Sequence, residues 1–140
     1  VRIENVQIRG RMAAPPEAGI MMVQTTNSIV RGNQIWNTAL GIFVRGGSTF
    51  GNLIEGNTIS TASLSAPFGI CYNPAEGDPE GPKGDRVSGN LIRGFQQALQ
   101  FSATSEYNVA EGNTFLYRAM AFTSMNDTNV VESNRAVRIR

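Results

Sequence analysis

Apolar and polar residues alternate along this chain in short segments, such as Leu53-Ile54, Asn57-Thr58-Ile59 and Gly69-Ile70-Cys71-Tyr72. Period-two alternation in β-branched and aromatic residues predicts half-buried strands. No segment sustains the 3.6-residue period that an amphipathic helix requires. The segments recur inside one phrase: GNLIEGNTI at 51–59 returns as SIVRGNQI at 28–35, VSGNLI at 87–92, NVAEGNTF at 108–115 and NVVESN at 129–134.

Aligned on one asparagine each, the copies fall at Asn5, Asn33, Asn57, Asn90, Asn113 and Asn134, with steps of 28, 24, 33, 23 and 21 residues. A small residue followed by an apolar one trails the first five: Gly19-Ile20, Gly41-Ile42, Gly69-Ile70, Ala98-Leu99 and Ala121-Phe122. From Asn33, Asn90 and Asn113 that landmark is eight residues away; from Asn5 and Asn57 it is 14 and 12, so those two repeats carry insertions at the same place. A period of this length predicts a solenoid in which each copy is one corner of one coil. Asparagine suits the corner because it tolerates left-handed backbone and can hydrogen-bond to its stacked counterparts as a ladder.

The Gly-Asn corner on a coil of this size resembles the right-handed parallel β-helix of the pectate-lyase-like superfamily, over essentially the whole chain. The resemblance implies an all-β solenoid of about six coils, roughly 30 Å long at the usual strand spacing. Residues 1–140 are expected to form one such domain. Because Val1 opens a strand-like VRIENVQI, we read it as a segment of a longer chain. The resemblance also implies a polysaccharide lyase or glycosidase type of activity and an extracellular or cell-surface location, although this chain shows no signal peptide. Polygalacturonase-like motifs are incomplete: Asn37-Thr38-Ala39 lacks the family's aspartate, and Arg138-Ile139-Arg140 ends differently from its Arg-Ile-Lys. Alginate-epimerase-like sites rely on histidine, of which the chain has none.

Charge narrows the partners further. Charged residues make up 16% of the chain and the net charge is +1, so no basic footprint for nucleic acid stands out, and no apolar run is long enough to span a membrane. Without histidine, the commonest general base is missing. A single cysteine, Cys71, allows no internal disulfide.

Function is expected on insertions and outward positions. The insertions RGRMAAPPEA at 9–18 and STASLSAPF at 60–68 should rise on one face and flank the second coil. Between and below them, Trp36, Arg93, Phe95, Tyr117 and Arg118 are the expected groove for an oligo- or polysaccharide. Aromatic faces stack on sugar rings, and arginine pairs with carboxylates. The candidates for acid–base work are Glu111 and Glu132, which share a register. Like charges about 5 Å apart raise one pKa, and a retaining glycosidase uses a pair at about that separation. A third insertion, NPAEGDPEGPKGD at 73–85, holds Glu76, Asp78, Glu80 and Asp85. It invites calcium but lacks the ligand rhythm of an EF-hand loop, so a solvated loop with no metal and no cofactor is the expectation.

With Ile20, Ile42, Ile70, Leu99 and Phe122 pointing inward, Met21, Phe43 and Cys71 are expected as an exposed apolar stripe. Such a stripe predicts a homo-oligomer through that face. The alternative to a sugar-handling protein is therefore a non-catalytic structural segment that assembles through it.

Overall fold

The computed structural model describes residues 1–11 and 18–140. Three parallel sheets run the length of the molecule, and the chain visits them in turn. The first stacks Arg2–Glu4, Ile29–Arg31, Leu53–Glu55, Arg86–Ser88, Val109–Glu111 and Val130–Glu132. The second stacks Gln7–Arg9, Gln34–Trp36, Thr58–Ser60, Leu91–Arg93, Thr114–Tyr117 and Arg135–Arg138. Five strands form the third: Ala18–Val23, Leu40–Arg45, Phe68–Asn73, Gln97–Phe101 and Met120–Ser124. Five coils are complete, and a sixth contributes two strands. The fold is thus the parallel β-solenoid that the repeat predicts. No helix of the described residues is long and apolar enough to cross a membrane.

Register puts like on like in the interior. Ile3, Val30, Ile54, Val87, Ala110 and Val131 form one column. Ile8, Ile35, Ile59, Ile92, Phe115 and Ala136 form the second. In the third sheet Ile20, Ile42, Ile70, Leu99 and Phe122 stack beside Met22, Val44, Tyr72 and Phe101. Most of these side chains are fully buried, and each is worth about 1.5–3 kcal/mol of burial. The small residue that opens each third-sheet strand is dictated by this packing. A Cβ at Gly69 would overlap Ile92 Cγ2 and the Ala98 carbonyl, and Gly41 stands in the same relation to Ile59 and the Gly69 carbonyl.

The asparagine corner is real, but its mechanism differs from expectation. The left-handed residue is the one before the asparagine: Gly32, Gly56, Gly89 and Gly112 have φ of 61–63°. The asparagine itself is buried and builds the ladder. Asn33, Asn57, Asn90, Asn113 and Asn134 each accept, at Oδ1, the backbone N–H and the Nδ2 of the residue one rung before, except that Asn33 receives only the N–H of Val6. In the first coil the ladder position is therefore Val6. Asn5, at φ 56°, takes the glycine's place. A second column runs one strand earlier, through Ser28, Asn52, Asp85, Asn108 and Asn129. Together the two columns satisfy backbone donors that the turns between sheets would otherwise leave buried and unpaired.

Candidate groove on the second sheet

Alternation in the second sheet, anchored by buried Ile35, Ile59, Ile92 and Phe115, turns the flanking residues outward. One outward column reads Arg9, Trp36, Ser60, Arg93 and Leu116. Ser60 is small, so between Trp36 on one rung and Arg93 two rungs away the sheet leaves a hollow. The insertion that follows Ser60 rises beside it, and Thr61, Ala62 and Asn37 line its wall. The resulting groove has a volume of about 720 Å³ and is also lined by Arg93 and Arg118. A second hollow of about 530 Å³ continues past Leu64 and Gln96, sharing Arg118.

The two arginines differ in how they are held. Arg93 is exposed and, among the described residues, makes no ion pair. Arg118 is half-buried, and its Nε donates to the Gly94 carbonyl at 2.7 Å while Nη1 donates to the Arg140 carbonyl at 3.1 Å. No Asp or Glu side chain lines the groove among the described residues. The site is therefore cationic, with one aromatic face and a floor of hydroxyl and amide groups, from Ser60, Thr58 and Gln34.

Three of the five groove residues expected from sequence, Trp36, Arg93 and Arg118, do line it. The other two do not, which corrects the expected floor. Phe95 is fully buried, and Tyr117 packs against the core. Counting by twos from buried Phe115 puts Tyr117 inward. Phe95 turns in at a corner where Gly94, at φ 89°, passes against the Thr61 carbonyl. Ser60, Asn37 and Thr58 were missed, although alternation from Ile35 and Ile59 marks 58 and 60 as outward. Part of the insertion at 9–18, residues 12–17, lies outside the described residues.

Glu111 and Glu132 are in register, as expected, but on the first sheet and away from the groove. Their column reads Glu4, Arg31, Glu55, Ser88, Glu111 and Glu132. Arg31 bridges Glu4 at 3.6 Å and Glu55 at 3.0 Å, and Glu111 pairs with Arg86.

The expected exposed stripe is also corrected. Met21 is exposed, but Phe43 and Cys71 are buried. The Arg45 guanidinium lies 5.1 Å over the Phe43 ring, and the Cys71 sulfur sits between Gln100 Oε1 and Asn73 Nδ2 at 3.7 and 3.5 Å. Burial pushes the Cys71 thiol up to about 12.

Three of the four acidic residues of the 73–85 insertion, Asp78, Glu80 and Asp85, have partners within the chain. Asp78 accepts the N–H groups of Glu80 and Gly47 at 2.9 and 2.8 Å, which hold its carboxyl below its ordinary range. Glu80 pairs with Lys83 at 3.0 Å, and Asp85 is a rung of the second ladder column. Among the described residues, no three His, Cys, Asp or Glu side chains gather as a metal cluster would.

A family model described as "Right handed beta helix region" matches residues 1–115. In the comparisons with curated proteins and with solved structures, nothing matches.

Proposed function

The chain belongs to the right-handed β-helix family, and from that premise we propose that it binds an oligo- or polysaccharide along the second sheet. The observation that carries this reading is the juxtaposition of half-exposed Trp36 with Arg93, exposed and without an ion pair among the described residues, across the hollow over Ser60. A ring stacks on the indole, hydroxyls meet Ser60, Thr58 and Asn37, and an acidic substituent meets Arg93 and Arg118. Concave sites of this size, apolar with a few convergent polar groups, are typical of small-ligand binding. Binding is the extent of the proposal. The carboxylates nearest to a catalytic pair, Glu111 and Glu132, face another side of the solenoid, so no turnover step is attributed to the groove.

The test is a titration of neutral and acidic oligosaccharides followed by the fluorescence of Trp36, with calorimetry for the variants. Saturable binding of an acidic oligosaccharide is expected, weakened about tenfold by Arg93→Ala, the scale of one charge-assisted contact, and more by Trp36→Ala. Binding unaffected by both substitutions would move the site elsewhere. One observation favours the second reading, an assembly segment: Met21, at an outward position of the third sheet, is exposed. A defined oligomer in light scattering, with no response to any saccharide, is the result that reading expects.

A further inference from the structure

The second ladder column contains one residue that does not match its neighbours. Asn52, Asn108 and Asn129 are amides, but the rung between the first two is Asp85, which is buried. Each amide of the column uses its Oδ1 to accept from the rung before. Its Nδ2 donates to the next rung's Oδ1 or to a carbonyl three residues before the previous rung. Asn52 Nδ2 thus donates to Asp85 Oδ1 at 3.1 Å and to the Thr25 carbonyl at 3.1 Å. Asn108 Nδ2 donates to Asn129 Oδ1 at 3.0 Å and to the Pro82 carbonyl at 3.1 Å.

Asp85 performs the accepting half of this role, taking the backbone N–H of Asn52 at 2.7 Å and its Nδ2 on one oxygen. Its other oxygen, Oδ2, takes the place of the donor. By the symmetry of the column it faces the Thr49 carbonyl and Asn108 Oδ1, and both are acceptors. Oδ2 is buried and, among the described residues, has no hydrogen-bond partner of ordinary geometry.

Among the described residues, no cation compensates. Lys83 is committed to Glu80 and Glu106, and Arg86 to Glu111. The titratable group facing Asp85 is Tyr72, whose buried hydroxyl is turned to the carboxyl as a donor without closing a hydrogen bond of ordinary geometry. The flanking rungs, Asn52 and Asn108, are neutral. The position of this pair in the chain matters. Tyr72 and Asp85 bracket the longest insertion, residues 74–84, one near its entry and one just after its exit.

We propose that Asp85 is an acid-closed latch at the root of the 74–84 loop: protonated, it donates from Oδ2 and completes the amide column, and ionised, it leaves a buried anion in the donor's place of the column, offset by the Tyr72 hydroxyl alone, and loosens the loop's exit. Burial pushes its carboxyl up from 3.8 to about 6, against the opposing hydrogen bonds from Asn52 and the opposing pull of the Tyr72 hydroxyl. The sign follows from that direction. The folded state holds the proton more tightly than the unfolded one, so the latch stabilises below about pH 4 and is lost as pH rises through about 6.

The experiment compares the wild-type chain with Asp85→Asn, which supplies the missing donor at every pH. Urea unfolding is followed between about pH 4 and pH 7, together with hydrogen exchange of the Lys83 and Gly84 amides. These donate to the Thr49 and Glu106 carbonyls. Other carboxylates titrate in both proteins, so the readout is their ratio. The folding equilibrium constant of the wild type should fall relative to the variant by on the order of a hundredfold across this range. Exchange at Lys83 and Gly84, corrected for its intrinsic pH dependence, should rise in the wild type and stay flat in the variant. A constant ratio overturns the latch, and so does exchange at the loop root that ignores pH. Should Asp85→Asn fail to fold, the carbonyl ¹³C shift of Asp85 in labelled wild type reads the titration directly. A midpoint in the ordinary aspartate range overturns the proposal, and one near 6 with co-titrating Asn52 and Asn108 amides supports it.

Discussion

Asn90→Ala tests how much of the solenoid's stability resides in its polar ladder. Asn90 is buried at the centre of the first column, with two rungs on either side. Its Oδ1 accepts the Asn57 N–H and Asn57 Nδ2, both at 2.9 Å, and its Nδ2 donates to the Ile54 carbonyl and Asn113 Oδ1, both at 2.9 Å. Alanine removes all four. Asn57 Nδ2 keeps its bond to the Val30 carbonyl, and Asn113 Oδ1 keeps the Asn90 N–H. The Asn57 N–H loses its side-chain acceptor in a place water does not reach. At about 1 kcal/mol net per bond, with an orphaned buried donor costing more, the expected loss is about 4 kcal/mol. That is a large part of the 5–15 kcal/mol or so that holds a typical domain folded. Asn134→Ala removes the same kind of group from a partly solvated rung, where water replaces it, so the cost should be about 1–2 kcal/mol. Urea titrations of both variants, with midpoint and slope fitted separately, give the comparison. If Asn90→Ala costs no more than Asn134→Ala, the ladder is not where the stability resides, and the buried isoleucine columns carry it alone.

Two further expectations can be checked with the same preparations. Gly69→Ala should cost about 1–3 kcal/mol in urea unfolding, because its Cβ would be driven into Ile92 and into backbone at Ala98 that cannot swing aside. Cys71 should resist a disulfide-exchange reagent at neutral pH, with labelling at the rate of unfolding, since its thiol is buried and held up to about 12; fast stoichiometric labelling of the folded protein would refute this.

Most of the fold was legible because a solenoid writes its period into the chain. Each corner needs a left-handed residue followed by a ladder amide, and each third-sheet strand needs a small residue against an inward isoleucine. Both requirements survive insertions. The reading slipped where one residue type serves two roles: Asn5 is an asparagine in the glycine's conformational place, so aligning on identity misplaced the first coil by one residue. The second column escaped notice for the converse reason. Ser28, Asn52, Asp85, Asn108 and Asn129 share a position but not an identity, and only the regular offset from the first-sheet strands marks them. Of the two aromatics that the groove does not use, parity from Phe115 marks Tyr117 as inward, whereas Phe95 lies at a corner where alternation does not run. The burial of Phe43 and Cys71 was not recoverable from alternation at all, because it is set by the long side chains of Arg45, Gln100 and Asn73 lying across an outward face.

The same division explains why the candidate site was only half legible. Inward columns are constrained on every rung by neighbours above and below, so a wrong residue there disturbs three coils at once. Outward columns carry no such constraint, and their sequence is free to differ from rung to rung: Arg9, Trp36, Ser60, Arg93 and Leu116 have nothing in common but their register. A groove arises where a small residue interrupts such a column between two large ones. Trp36 and Arg93 stand two rungs apart, about 10 Å, over Ser60, and the insertion after Ser60 supplies the wall. Replacing Ser60 with a large side chain would fill the hollow without touching the core. The lining of the groove and the stability of the solenoid are therefore separable properties of this chain, the first set by outward positions of the second sheet and the second by the ladders and the isoleucine columns behind it.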